Sequence, residues 1–169
     1  MNNPVTIPVS GDTVCGGDTV AREHALDTGR SFIVRAPAGS GKTELLTSRF
    51  LKLLSEVDSP GQILAITFTR AATAEMRSRI LTELERARAN PPGALDDERL
   101  KLARRALDHA EQQDWHLLER PQQLRIETID SFCASLARQT PILSRLGGDL
   151  NPTEDAMPLY RLAARRTLQ

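Results

Sequence analysis

Apolar residues along this chain form short continuous runs that alternate with longer stripes at helical spacing. The runs at Ser31–Arg35, Ile63–Phe68 and Leu124–Glu127 predict three strands. The stripes predict amphipathic helices, because a residue returns to the same face of a helix every three or four positions. The predicted helices span about 19–26, 41–56, 70–89, 95–111, 129–140 and 153–169. This alternation indicates an α/β fold with a parallel sheet flanked by helices, and Ser31–Phe68 is predicted to form a βαβ unit.

Four of the predicted helices carry apolar stripes that we expect to face the core. The stripes are Leu46, Phe50, Leu53 and Leu54; Met76, Ile80, Leu84 and Ala87; Leu100, Ala103 and Leu107; and Ile129, Phe132, Cys133 and Leu136. A further apolar group, Trp115, Leu117 and Leu118, predicts packing rather than ligand binding. The charged residues of 70–89 lie mostly off its stripe, and we interpret them as a solvated face.

The segment Ala36–Thr43, with the sequence APAGSGKT, joins the first predicted strand to the next helix, and this context is typical of a phosphate-binding loop. Gly39 and Gly41 let backbone N–H groups turn inward, where they and the helix N-terminus can hold phosphate oxygens. Lys42 would reach the terminal phosphates, and the Thr43 hydroxyl would bind Mg²⁺. The predicted nucleotide site comprises Ala36, Pro37, Ala38, Gly39, Ser40, Gly41, Lys42 and Thr43. The alternative is a glycine-rich loop that only links the strand to the helix.

Charge and cysteine content narrow the class of protein. Lys plus Arg and Asp plus Glu both number 22, so the formal net charge is zero. This balance argues against DNA binding through bulk charge alone, and any DNA site must be built from particular residues. Cys15 and Cys133 lack the spacing of a metal site and indicate reduced thiols of an intracellular protein. The chain starts without a signal-peptide pattern and has no apolar run that could span a bilayer, so we expect a cytoplasmic protein without membrane contact.

Three segments, in this order, resemble the UvrD/Rep family of superfamily-one DNA helicases: Ala36–Thr43, Thr67–Met76 and Glu127–Phe132. The sequence of Phe32–Leu46 is most similar to the AddA/RecB-like branch, which works on DNA ends in recombinational repair. The resemblance implies a RecA-like P-loop NTPase fold that couples ATP hydrolysis to translocation along single-stranded DNA.

The domain organisation follows from the periodicity and from this resemblance. Residues 1–17 have no periodicity and are predicted to form a flexible leader. Residues 18–148 are expected to form the first part of the RecA-like ATP-binding domain. Residues 149–169 are expected to form the truncated start of a helical insertion.

The second and third motifs of such helicases lie on the face that single-stranded DNA crosses. The resemblance implies that Thr67 and Thr69 contact the DNA backbone and that Phe68 offers its ring to a base, a contact of about 1–3 kcal/mol. The third motif adds Thr128, Ser131 and Phe132 to the expected DNA contacts. An alternative stays open for each aromatic residue. Phe68 is only a core residue at a strand end, and Phe132 belongs only to the apolar stripe of its helix.

The chain departs from the family pattern at individual positions. Ala71 stands where the family usually has Lys, and Thr73 where it usually has Ala. Asp130 replaces a His that is common in the third motif. Near Arg22, where a Gln that contacts adenine is expected, no Gln occurs.

The acidic pair that holds Mg²⁺ and orients the attacking water in ATP hydrolysis is expected at the end of an apolar strand. The adjacent acidic residues at Asp96–Glu98 and Glu154–Asp155 do not follow such a strand. We predict that they are helix starts, where negative charge suits the helix dipole.

These features predict the N-terminal ATP-binding segment of a UvrD-like ATP-dependent DNA helicase. We expect it to bind ATP weakly and not to unwind DNA alone, since the arginine finger and the second motor domain would follow later in a chain. The implied partners are single-stranded DNA or DNA ends and a nuclease subunit. Two alternatives stay open: a small P-loop phosphotransferase that uses Asp130 as its carboxylate, and a non-catalytic module that holds DNA or a helicase partner.

Overall fold

The computed structural model describes residues 5–8, 16–90, 97–139 and 155–167 of the 169-residue chain. Within these ranges the strands are β1 (Val5–Pro8), β2 (Phe32–Arg35), β3 (Leu64–Thr67) and β4 (Arg125–Thr128). The helices are α1 (Gly16–Ala25), α2 (Lys42–Leu54), α3 (Arg70–Ala89), α4 (Glu98–Gln112), α5 (Ile129–Gln139) and α6 (Met157–Thr167). Single 3₁₀ turns at Pro60–Gln62 and Pro121–Gln123 precede β3 and β4. The structure thus has the predicted α/β character, with parallel strands and flanking helices.

The predicted elements recur with small shifts at their ends. The three predicted strands are β2, β3 and β4, and α3 begins and ends at the predicted residues 70 and 89. The stretch 1–17, which the sequence predicts to be a flexible leader, includes a strand at the described residues Val5–Pro8. These four residues form β1, which pairs in parallel with β2 in the register Val5 to Phe32. Four residues are too few to show an apolar periodicity. The hydrogen bonds of this strand come from a partner distant in sequence, so local residues do not reveal it.

The strands form two parallel pairs, β1 with β2 and β3 with β4, in the described part of the chain. The βαβ unit predicted for Ser31–Phe68 is therefore wrong as a strand pairing, since β2 and β3 belong to different pairs. The partner of β3 is β4, which follows it after α3 and α4. An apolar run predicts a strand buried in a sheet, but it does not encode which strand lies beside it.

The main core lies where α2, α3 and α4 pack on one another and α3 covers β3 and β4. The predicted stripes of α3 and α4 are confirmed. All of their members are buried, namely Met76, Ile80, Leu84, Ala87, Leu100, Ala103 and Leu107. The packing cluster after α4 is also confirmed, because Leu117 is buried and Trp115 and Leu118 pack against the same core.

The predicted buried face of α2 is partly wrong. Phe50 and Leu54 are buried, but Leu46 is 51% exposed. Leu45 and Leu51 are buried in its place. The helix contains adjacent leucines, so its apolar pattern is compatible with more than one face, and packing on α1 as well as on α4 selects the face.

The predicted inner face of α5 is also wrong. No residue of this helix is buried, and Cys133 and Leu136 are exposed. A stripe defines the direction of an apolar face, but the periodicity does not specify the packing partner that burial requires.

The chain divides into two compact units, Met1–Ile129 and Asp130–Gln169. The first unit contains both strand pairs and α1 to α4. The second contains α5 from Asp130 onwards, and α6. The domain boundary predicted at residue 148 lies outside the described residues and stays a prediction. None of the helices in the described ranges has both the length and the apolar character needed to cross a membrane.

Candidate functional site

The segment Ala36–Thr43, the phosphate loop, connects the end of β2 to the first turn of α2. Gly39 and Gly41 both have a φ of 79°, in the left-handed region that favours glycine. Gly41 is the N-cap of α2 and, as a glycine, has no side chain that could cap the helix. The backbone N–H groups of the first turn of α2 therefore have no capping side chain from this position, and such groups are suited to an anionic ligand.

The side chain of Lys42 folds back over the phosphate loop. Its Nζ donates to the carbonyl oxygens of Ala36 at 2.7 Å and Pro37 at 2.5 Å. Ser40 closes the same turn, since its Oγ also donates to the Pro37 carbonyl, at 2.8 Å. These bonds hold the ammonium group at the loop, in reach of any group bound there. The side chain of Thr43, the next residue, is exposed.

Arg22, on α1, is a residue of this site for which the sequence predicts no role. Its Nη2 donates to the Ser40 carbonyl at 2.7 Å. A Cβ built on Gly41 would lie 3.3 Å from both terminal nitrogens of its guanidinium. No local signal marks this contact, because Arg22 and Ser40 are 18 residues apart and meet only through the packing of α1.

Arg49, on α2, ties α1 and the following turn to α2. Its Nη1 donates to the carbonyl oxygens of Ala25 at 2.5 Å and Asp27 at 2.9 Å, and its Nη2 donates to that of Arg30 at 2.9 Å. The guanidinium also lies 5.3 Å from the ring centroid of Phe32, in a cation–π contact. This side chain therefore links α1, the turn that follows it and β2 to α2.

The second group of predicted site residues lies at the carboxyl ends of β3 and β4. Thr67 and Thr128, the last residues of these strands, are direct partners in the parallel register. The structure thus places the starts of the second and third motifs side by side. Thr128 is buried, at 8% exposure.

The threonines that flank Phe68 shape the turn between β3 and α3. Thr69 is the N-cap of this helix, and its Oγ1 accepts from the Ala72 N–H at 3.1 Å. The hydroxyl oxygens of Thr67 and Thr73 lie 2.6 Å apart, and Thr67 Oγ1 also donates to the Thr69 carbonyl. Thr73, which departs from the family pattern, therefore takes part in the hydrogen bonds that shape this turn.

Phe68 lies between these threonines and is 91% exposed. The alternative that Phe68 is a core residue is therefore wrong. An aromatic ring held in solvent by the turn between β3 and α3 offers both of its faces to a partner. The hydrogen bonds of its two neighbours fix the backbone from which the ring projects.

Ser131 and Phe132 lie in the first turn of α5, directly after β4. Ser131 is exposed, and Phe132 is half-buried. No residue of this helix is buried, so the apolar stripe to which Phe132 belongs is not a core face of the described structure.

The acidic residues that are predicted to start helices occupy such positions where the structure describes them. Asp97 is the N-cap of α4 and accepts from the Arg99 N–H at 2.9 Å. Asp155 accepts from the Met157 N–H at 3.1 Å, at the start of α6. The prediction is confirmed for both residues, whereas Asp96 and Glu154 lie outside the described residues.

The sequence of this chain matches a protein family and is similar to individual proteins. The family described as the UvrD/REP helicase N-terminal domain matches residues 18–156. A relative from Levilactobacillus brevis, named as the A subunit of an ATP-dependent helicase/nuclease, is 37% identical over 153 residues, which is 88% of this chain and 10% of the relative. Proteins of the same name from Desulfitobacterium hafniense and Bacillus pumilus are 34% and 33% identical, over 82% and 69% of this chain and 8% of each relative.

The chain therefore spans about a tenth of the length of these relatives. The family match includes all three motifs on which the resemblance rests. The names of the relatives agree with the AddA/RecB-like branch. The resemblance drawn from the sequence is thus confirmed: this chain belongs to the UvrD/REP helicase family, of which it carries the N-terminal domain.

Proposed function

We propose that this chain is the ATP-binding segment of a DNA helicase, with a RecA-like P-loop NTPase fold, and that the phosphate loop binds ATP with Mg²⁺. The observation that carries the proposal is the geometry of the loop. Two glycines with a φ of 79° stand on either side of Ser40, and Lys42 folds over the turn at the start of α2. This is the arrangement that a polyphosphate needs, since backbone amides, a helix N-terminus and an ammonium group converge on one place.

Each residue of the loop has a defined task in this proposal. Lys42 exchanges its bonds to the Ala36 and Pro37 carbonyls for bonds to phosphate oxygens, which are charged and therefore stronger acceptors. Thr43, which is exposed, would bind Mg²⁺ through its hydroxyl. Mg²⁺ would bridge phosphate oxygens and offset their charge. The loop thus binds the phosphates and the metal, while hydrolysis needs further carboxylates.

We propose that single-stranded DNA binds at the ends of β3 and β4, where Thr67, Phe68, Thr69 and Thr128 lie together. The exposed ring of Phe68 supports this assignment, since a base can stack on it without any rearrangement of the core. We also propose Ser131 and Phe132, in the first turn of α5, as residues that contact DNA.

The activity of the full-length protein is part of the same proposal. Relatives about ten times longer are named as the A subunit of an ATP-dependent helicase/nuclease. By analogy, we propose that the full-length protein couples ATP hydrolysis to movement on DNA in recombinational repair, together with a nuclease activity, in the cytoplasm. The segment by itself binds nucleotide and DNA without unwinding.

Nucleotide binding by the purified chain tests the proposal. Titration calorimetry with MgATP should give saturable binding that Lys42→Ala abolishes. Lys52→Ala is the matched control, because Lys52 lies in the last turn of the same helix and removal of its charge should leave binding unchanged. Saturable binding that survives Lys42→Ala, or no binding by the unaltered chain, would contradict the proposal. Robust DNA-stimulated ATP hydrolysis by the chain would contradict the expectation that it is inactive alone.

A further inference from the structure

The guanidinium of Arg22 lies at the end of the phosphate loop where α2 begins. It donates to the carbonyl of Ser40 at 2.7 Å. Both of its terminal nitrogens lie 3.3 Å from the point that a Cβ of Gly41 would occupy. Ser40 and Gly41 directly precede Lys42, so two cationic side chains flank the same short stretch of backbone.

Packing of α1 holds Arg22 in this position. Ala21 and Ala25, on either side of Arg22 in α1, belong to a small apolar cluster with Leu45 of α2 and Val34 of β2. The bonds from Arg49 to the carbonyls of Ala25 and Asp27 fix the C-terminal end of the same helix. The reach of the guanidinium to the loop is therefore set by the arrangement of α1, β2 and α2.

The charges around the loop favour a polyanion. Glu44, in the first turn of α2, has its carboxylate close to Gly41. Its Oε2 lies 3.1 Å from the point that a Cβ of Gly41 would occupy. Glu44 forms an ion pair with Arg99 of α4, which offsets its negative charge. The positive charges of Arg22 and Lys42 then add to the positive end of the helix dipole.

We propose that Arg22 is a nucleotide-binding residue that contacts the polyphosphate and not the base. This inference rests on the proposed function, because it assumes that the loop binds a nucleoside triphosphate. A guanidinium carries five N–H donors in a planar fork that matches phosphate oxygens, so one side chain can contact the loop backbone and a phosphate together. Arg22 donates to the Ser40 carbonyl and lies beside Gly41, so phosphate oxygens held by this stretch of backbone would come within its reach. Arg22 thus supplies the loop with a second cation, near the place where the family pattern has a Gln that contacts adenine.

Binding of MgATP and of inorganic tripolyphosphate, which has no base or ribose, tests this inference. Arg22→Ala should weaken both ligands by about tenfold, the loss typical of a charged hydrogen bond. Arg22→Lys keeps the charge and should recover part of the affinity for both. Arg105→Ala is the matched control, because it removes the same charge from an exposed position on α4 and should leave both affinities unchanged. Thermal unfolding of each variant reports the effect of the substitution on the fold.

Unchanged affinities in Arg22→Ala would overturn the inference. So would a loss for MgATP without a loss for tripolyphosphate, which would assign Arg22 to the base or the ribose. Equal losses in Arg22→Ala and Arg22→Lys, together with lowered thermal stability, would assign it a purely structural role and overturn the inference as well. If the chain binds MgATP, loses it with Lys42→Ala and keeps it with Arg22→Ala, only this inference fails. If the unaltered chain binds neither ligand, the proposed function fails and this inference fails with it.

Discussion

Replacement of Phe68 with alanine should weaken DNA binding and leave the fold intact. Phe68 is 91% exposed, so only about 20 Å² of a side chain of roughly 200 Å² is buried. At about 25 cal/mol per Å², the substitution should cost about 0.5 kcal/mol of the free energy of unfolding. Stacking of one base on an aromatic ring contributes about 1–3 kcal/mol to binding, so the dissociation constant for DNA should rise about fivefold to about 150-fold.

Fluorescence anisotropy with a labelled oligothymidine measures this change, at one fixed salt concentration because phosphate contacts depend strongly on salt. Urea denaturation of the same variant measures its stability. Phe68→Tyr is the matched control, since it keeps an aromatic ring in the turn between β3 and α3 and should bind DNA as the unaltered chain does. An affinity of Phe68→Ala equal to that of the unaltered chain would refute the stacking role, and so would Phe68→Tyr binding as weakly as Phe68→Ala.

Two further substitutions probe the core and the phosphate loop. Leu84→Ala should lower the free energy of unfolding by about 2–5 kcal/mol in urea denaturation, because Leu84 is fully buried between α3 and its neighbours; a change as small as that of the exposed Arg88→Ala would contradict the described packing. Gly41→Ala should impair MgATP binding and cost about 1–2 kcal/mol of stability, since an L-residue is strained at a φ of 79° and its Cβ would meet Glu44 Oε2 at 3.1 Å. Gly39→Ala has the same φ but no neighbour within 4 Å of the new Cβ, so a loss of MgATP affinity equal to that of Gly41→Ala would show that crowding at Gly41 plays no part.

The features that are well predicted from the sequence depend on a few neighbouring residues. Helix α3 begins after Thr69 and runs to Ala89, because a capping threonine, a regular apolar stripe and the following Asn90-Pro-Pro-Gly segment all act locally. The phosphate loop is recognisable for the same reason, since a strand, two glycines and a helix start are adjacent in the chain. The place of Asp97 at a helix start follows from the charge pattern alone.

The errors concern residues whose environment is set by distant parts of the chain. Val5–Pro8 pairs with β2 across more than 20 residues, and β3 pairs with β4 rather than with β2. Leu45 replaces Leu46 in the core, because α1 packs on that side of α2. Strand neighbours depend on which surfaces meet. Where adjacent leucines allow more than one apolar face, as in α2, the packing partners select the face.

The local residue pattern is enough to locate the phosphate loop and most helices and strands, and to recognise the helicase family. The three-dimensional structure is needed to see that Phe68 projects into solvent, that Thr67 and Thr128 lie side by side, and that Arg22 contacts the phosphate loop. This division reflects the range of the interactions involved. A loop conformation and a helix cap are set by the residues that form them, whereas exposure and long-range contacts are set by the packing of elements far apart in the chain.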